Sequence, residues 1–320
     1  RLTNRNHNNM SRLLEKLPTE VQLKAHRLGE VGASWLSSLD EMAAGLESSW
    51  SLTLGEVLVG GTEALVIEAV MTDGTLAVLK LGLPGSADIS AEVKAYELVA
   101  GSGYARLLRY ETHLNALLLE RLGSHLGKED RSVESQIHLI CESLAPSWIK
   151  LEQPQGFMTG AEKAEWLAEF IERQWQESGK PCHKKTAYRA VDYCIERADA
   201  FSLENSFLVH GDAHSQNLLS VPNSSEYKFV DPEGLCAERA CDLAVPMREW
   251  SEELLKGNTV KLARQRCNLL SRLTEEDEHA IWQWGYMERI STALLLFSID
   301  MTRQSEMMLL VADRIVDQSV

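Results

Sequence analysis

The hydrophobic period switches repeatedly between helical and strand-like along this 320-residue chain, and the order of those changes limits the folds open to it. Trp35, Leu36, Leu39, Met42, Ala43 and Leu46 recur at helical spacing, so residues 33–47 predict an amphipathic helix. Leu52–Val59, Ala64–Met71 and Thr75–Leu81 follow as short runs rich in β-branched and aliphatic side chains. Asp73-Gly74 lies between the last two as a turn, because glycine adopts positive φ without strain. Residues 89–100 return to a helical pattern through Ile89, Val93, Tyr96 and Val99, and two more strands are expected at Ala105–Tyr110 and Ala116–Glu120. From about residue 123 the composition is helix-forming, over 161–177, 184–203, 239–255, 259–273, 277–298 and 304–317. Short strand-like pieces interrupt it at 207–231. Strands around one helix, then helices around one loop cluster, imply an α+β fold in two lobes. The first lobe is expected at 1–122, with a leader, a helical preamble and a sheet; the second, mostly helical, at 123–320.

Charge and cysteine usage narrow the partners. Lys and Arg total 32 against 47 Asp and Glu, a net charge of −15. Such a surface repels phosphate backbones, which argues against a nucleic-acid partner, and it attracts cationic ligands by the same Coulomb effect. Six cysteines (Cys141, Cys182, Cys194, Cys236, Cys241, Cys267) show no C-x-x-C spacing, so neither a zinc site nor a disulfide framework is expected. They fit a reducing compartment and a cytoplasmic protein. The longest apolar stretches, such as Ala293–Phe297, are too short to cross a bilayer, and no membrane or obligate protein partner is expected. Arg1–Asn9 is polar, precedes Met10 and reads as a leader rather than a signal peptide.

The chemistry concentrates in His210-Gly-Asp-Ala-His-Ser-Gln-Asn217, followed after a short strand by Phe229-Val-Asp231. Phosphoryl transfer to a hydroxyl needs one carboxylate to orient the hydroxyl and take its proton, and an amide with a second carboxylate to hold Mg²⁺ on the phosphates. D-x-x-x-x-N places Asp212 and Asn217 on one loop, and Asp231 arrives at the end of the next strand. A lone D-x-x-x-x-N is a capped turn in many proteins; its conjunction with the flanking His-Gly and Phe-Val-Asp is rarer. Upstream, Lys80 in Val78-Leu-Lys-Leu81 alternates on the third predicted strand, where a lysine can reach nucleotide phosphates. Glu92 on the following helix could pair with it, with Glu97 as the competitor. Gly60 and Gly61, joining the first two strands, could bring backbone N–H groups to phosphates or form a plain hairpin turn. Leu117–Leu122, including Glu120 and Leu122, ends the first lobe where a hinge would offer backbone groups to adenine.

With these motifs the sequence resembles the aminoglycoside phosphotransferase superfamily, within it the streptomycin 6-kinase and hydroxyurea phosphotransferase group. The likeness runs from about Ala33 to at least Leu296 and is densest at Val78–Leu81, Val209–Leu218 and Val230–Gly234. It extends through Glu238–Ala244, Met247–Trp250 and Trp284–Ser291. The resemblance implies a protein-kinase-like fold, ATP and Mg²⁺ as cosubstrates, and the alcohol of a small molecule as acceptor. It implies Asp212 as catalytic base, Asn217 and Asp231 as metal ligands, and Lys80 with Glu92 as phosphate clamp. The acceptor it points to first is an aminoglycoside such as streptomycin, in antibiotic inactivation; hydroxyurea or another small metabolite is the alternative. One departure is Glu233, which follows Asp231-Pro232 where relatives often carry Lys, and which bears on the acceptor or phosphate environment.

Other residues divide between structural and functional readings. His210 reads as a brace of the loop, His214 as facing acceptor or solvent, and Arg239 and Asp242 as ties to the next helix. Trp250, Trp282 and Trp284 read as packing residues. Glu249, Glu253 and Glu288 could pair with a cationic acceptor or simply be solvated. A protein kinase is rejected because only Pro232–Glu238 separates Asp231 from Arg239 at the start of the predicted helix, leaving no activation segment. A catalytically inactive nucleotide-binding regulatory module would have lost the base, clamp or metal ligands, and all are present.

Overall fold

The computed structural model describes residues 12–59, 63–85 and 89–319; the leader Arg1–Asn9 and the glycines Gly60 and Gly61 lie outside them. The chain forms two compact units, one running to Gly101 and resuming over Ala105–Leu122, the other made of Ser102–Tyr104 and Gly123–Val320.

The first unit opens with three helices, α1 (Arg12–Lys16), α2 (Thr19–Arg27) and α3 (Glu30–Ser49). A sheet follows: β1 (Leu52–Leu58), β2 (Ala64–Met71), β3 (Leu76–Gly82), then α4 (Ile89–Val99), β4 (Leu107–Glu111) and β5 (Ala116–Glu120). Its order is β1-β2-β3-β5-β4, antiparallel throughout. The apolar stripe of α3 (Trp35, Leu36, Leu39, Ala43, Leu46) forms one core with Leu65, Ile67, Leu79, Leu81 and Leu118. Because successive strand residues point to opposite faces, burying Leu79 and Leu81 in this core turns Lys80 to the other face of the sheet. The helix expected from the periodicity begins at residue 33. The structure starts α3 at Glu30 and adds α1 and α2, whose core-facing positions (Leu13, Leu14, Val21, Ala25) are too few in so short a run to display a clear period. Gly32 lets α2 and α3 cross closely: a Cβ there would lie 1.8 Å from the Ala25 carbonyl oxygen.

The second unit contains α5 (Val133–Leu144), β6 (Ile149–Lys150), β7 (Met158–Thr159), α6 (Gly160–Glu177), α7 (Lys184–Asp199), β8 (Phe207–Val209), β9 (Leu218–Ser220), β10 (Tyr227–Phe229) and β11 (Leu235–Ala237). It ends with α8 (Ala240–Arg248), α9 (Ser251–Leu255), α10 (Thr259–Thr274), α11 (Glu278–Ser298) and α12 (Thr302–Ile315). The short strands form two small sheets, β6-β8-β11-β7 and β9-β10. α11 is the central rod. Its residues Ala280–Ser291 are all buried, and it packs on α6, α7, α8, α10 and α12. A helix covered on all sides has no polar face to display.

Two sequence expectations change here. α5 was not foreseen. The helix expected over 239–255 is broken, with Trp250 in the left-handed region at φ 51°. The break leaves carbonyls without helical partners, and the Arg266 guanidinium supplies donors to the Met247, Glu249 and Trp250 oxygens.

Gly103 and Tyr104 brace the strand that leads to Asp231. The Gly103 carbonyl accepts from Phe229 N–H at 2.8 Å, and the Tyr104 ring meets His210 edge-on at 5.3 Å. Gly103 sits at φ 82°, and a Cβ there would lie 2.5 Å from the Ser143 carbonyl oxygen. Gly103→Ala should therefore lower unfolding free energy by about 1–3 kcal/mol, read as a lower urea midpoint at unchanged m.

Candidate functional site

The loop between β8 and β9 is built around one buried carboxylate. Asp242, in the first turn of α8, accepts from the backbone N–H of His210 at 2.9 Å and of Gly211 at 2.8 Å. It also accepts from the Trp148 indole at 2.8 Å. Gly211 is needed at this position: its φ is 89°, and a Cβ would approach Glu233 Cβ to 2.9 Å. The His210 ring is fully buried; Nδ1 accepts from Asp212 N–H at 3.1 Å, which leaves Nε2–H to donate to the Val230 carbonyl at 3.0 Å. Burial lowers its pKa, so the neutral tautomer suits this bridge. Asn217 closes the loop, its Nδ2 donating to the Asp212 carbonyl at 3.0 Å. The expected tie from Asp242 is present. Arg239 instead pairs with Glu276 and covers the Trp148 and Phe207 rings.

Asp212 meets two cationic or polar partners. Arg248 Nη2 lies 3.2 Å from Oδ1, and His214 Nε2 lies 3.3 Å from Oδ2. Burial alone would raise its pKa; the His214 hydrogen bond and charge, with the Arg248 guanidinium, outweigh it and hold the carboxyl well below the usual range. Arg248 is shared further, with Glu288 Oε2 at 3.1 Å from Nη1 and Glu249 Oε1 at 3.4 Å from Nε. Lys163 of α6 lies 3.4 Å from Glu233 and 4.0 Å from Glu288. Arg248 and Lys163 lie deep, with side chains 12% and 13% exposed, beside the equally buried Glu288. Asp212 (32%), Glu249 (36%) and Glu233 (47%) form the open layer. An approaching solute therefore meets carboxylates before it meets either cation.

Asn217 and Asp231 fit a Mg²⁺ ion. With its Nδ2 committed to Asp212, Asn217 has Oδ1 remaining as a metal-binding oxygen, and Asp231 follows β10 in the left-handed region at φ 58°. Among the described residues no group of three or more His, Cys, Asp or Glu side chains could hold a metal. One amide and one carboxylate suit an ion that takes its other ligands from phosphate and water.

In the first unit, Lys80 Nζ and Glu92 Oε1 are 2.8 Å apart, with side chains 18% and 15% exposed. Glu97 does not form this pair; it is exposed and lines a cavity of about 540 Å³ with Trp50, Tyr96 and Arg106. Glu120 is tied into β5's edge, its carboxylate accepting from Arg106 N–H at 2.7 Å, and Leu122 closes the unit.

The structure separates the acidic residues grouped by the sequence reading. Glu249 and Glu288 join Arg248, whereas Glu253 of α9 pairs with Lys256 in the open. Trp282 and Trp284 are buried, and Trp284 donates to Glu238 at 2.7 Å. Lys163 and Arg248 were missed as members of the cluster. Arg248 stood in the Met247–Trp250 motif without a role, and Lys163 is one lysine on an ordinary amphipathic helix.

A depressed folded pKa makes the ion pairing of Asp212 stabilising above its unfolded pKa, and that contribution is lost as pH falls through the folded value. The difference in unfolding free energy between wild type and Asp212→Asn, from urea titrations, should persist down to about pH 4 and close below it.

Comparison with known proteins places the chain. Residues 49–295 match the family described as aminoglycoside/hydroxyurea antibiotic resistance kinase. A streptomycin 6-kinase of Streptomyces glaucescens is 25% identical over 272 residues, covering 84% of this chain and 87% of the relative. A hydroxyurea phosphotransferase of Kitasatospora aureofaciens is 25% identical over 280 residues, covering 84% and 80%. Among solved structures, a choline kinase of Streptococcus pneumoniae superposes with a TM-score of 0.59 at 12% identity, over 87% of this chain and 99% of that one. The α+β architecture described above is thus that of the small-molecule kinases, and the chain belongs to the aminoglycoside/hydroxyurea antibiotic resistance kinase family.

Proposed function

We propose that this kinase transfers the γ-phosphoryl group of ATP to a hydroxyl of a small cationic acceptor, with streptomycin the first candidate and antibiotic inactivation the role. The observation that carries this reading is the layered cluster around Asp212, buried cations beneath and half-open carboxylates above. A paired carboxylate is ionised at neutral pH and able to accept a proton. A carboxylate layer favours an acceptor bearing guanidinium or amine groups, whose desolvation it compensates. Streptomycin 6-kinases among the relatives support the choice of acceptor.

ATP would supply the phosphoryl group, and a bound Mg²⁺ would offset its phosphate charge. Asp212 Oδ orients the acceptor hydroxyl and takes its proton as the new O–P bond forms and the bond to the ADP leaving group breaks. Asn217 Oδ1 and the Asp231 carboxylate would hold Mg²⁺. Lys80 Nζ, kept extended by Glu92, binds the α- and β-phosphates, with Gly60 and Gly61 offering backbone N–H groups and Glu120–Leu122 the backbone groups for adenine. His214, Glu233 and Glu249 contact the acceptor. The free thiols of all six cysteines suit a cytoplasmic location, and among the described residues no helix is long and apolar enough to cross a membrane.

Hydroxyurea is the second acceptor, favoured by the hydroxyurea phosphotransferase relative. Against an inactive regulatory module stand the intact Lys80–Glu92 pair and the ordered loop around Asp212. Purified protein with ATP and Mg²⁺ should consume ATP when streptomycin is added. Asp212→Asn should lower kcat by roughly 10²–10⁴ while ATP binding is retained. Near-normal turnover in that variant would remove Asp212 from the role of base.

A further inference from the structure

Charges continue behind Arg248 on Glu288 and Lys163, which the described contacts link to Asp212 only through other side chains. Glu288 on α11 is only 10% exposed; one carboxylate oxygen lies 3.1 Å from Arg248 Nη1 and the other 4.0 Å from Lys163 Nζ. Lys163 in turn reaches Glu233 at 3.4 Å and the Trp166 ring at 5.5 Å. Burying such charges costs several kcal/mol per ion before pairing, and apolar side chains would fill the same space without that cost. Geometry supplies a reason to keep them. A guanidinium is a planar fork, and this one is engaged on three sides: Nη2 on Asp212, Nη1 on Glu288 and Nε on Glu249. With Glu288 in place the fork cannot swing away from Asp212 without breaking a second buried ion pair. Lys163, anchored on α6, restrains Glu288 in the same manner.

We propose that Glu288 and Lys163 are positioning residues, a buried relay Lys163–Glu288–Arg248 that fixes the guanidinium on which the orientation of Asp212 depends. Glu288 then acts through Arg248 instead of touching the acceptor. The relay rests on the reading of Asp212 as the base. It joins α6, α11, α8 and the β8–β9 loop, so the base is set by three helices rather than by its own loop alone.

The test is a double-mutant cycle, because a residue that acts through another has no effect once the other is lost. With streptomycin as acceptor, Glu288→Gln should lower kcat about tenfold and Lys163→Met about threefold, with KM for ATP and streptomycin within about twofold. The double variant should be no slower than Glu288→Gln. If Glu288→Gln does not fold, Glu288→Asp, which withdraws the carboxylate by one methylene, is read in the same way. A second readout needs no turnover: the Arg248 Nε–H cross-peak in ¹H–¹⁵N NMR, assigned by its loss in Arg248→Lys. It should move in both single variants and, in the double variant, lie where Glu288→Gln puts it. Multiplicative losses in kcat, losses carried by KM, or an Arg248 peak unmoved by Lys163→Met would overturn the relay. If wild type does not phosphorylate streptomycin, the acceptor reading fails separately, and the Arg248 peak still decides the relay.

Discussion

One carboxylate, Asp242, gathers the second unit around its chemistry. It is fully buried and takes three N–H donors, two from consecutive backbone amides of the β8–β9 loop and one from Trp148. Backbone amides facing an apolar interior need acceptors, and a loop has no ladder to provide them. Asp242 provides them from the first turn of α8, so loop and helix become one body. Arg248 lies at the other end of that helix and reaches back to Asp212 at 3.2 Å. The helix thus holds the start of the loop with a carboxylate and its central acid with a guanidinium.

The same geometry explains how so many charges coexist. Asp212, Glu233, Glu249 and Glu288 share two cations; the cations are buried with Glu288, and the other three carboxylates are more open. Carboxylates left in the open layer keep part of their hydration, which lowers the cost of the excess negative charge. His210 supports the arrangement from below as a neutral bridge between the Asp212 amide and the Val230 carbonyl. Glu233 is matched by a lysine from another element, Lys163. Local charge is therefore balanced across the tertiary fold and not along the chain.

That distinction separates what could be read in the sequence from what could not. β2 and β5 begin and end where their aliphatic runs do, since a strand of a half-buried sheet writes its pattern within a few residues. The spacing of Lys80 and Glu92 was visible because strand and helix are neighbours in the chain, and the structure pairs them. Asp212 and Asn217 share one loop, and their contact is local too. By contrast, Asp212 and Arg248 are 36 residues apart, Arg248 and Glu288 are 40, and Lys163 and Glu233 are 70. No periodicity connects such positions. The helix break at Trp250 was hidden for the same reason, because the Arg266 that satisfies its carbonyls comes from α10. Glu253 shows the converse: it lies only four residues from Glu249, yet Glu249 joins Arg248 and Glu253 an exposed lysine.

The central claim is that the carboxylate held by Arg248 and His214 serves transfer to an acceptor hydroxyl. Following the reaction with ATP, Mg²⁺ and streptomycin by ³¹P NMR tests it most directly, because the product itself is observed. One phosphomonoester signal on the acceptor is expected for each ADP formed, with no matching rise in inorganic phosphate. ADP accompanied only by inorganic phosphate, with no acceptor-bound phosphorus for streptomycin or hydroxyurea, would contradict it.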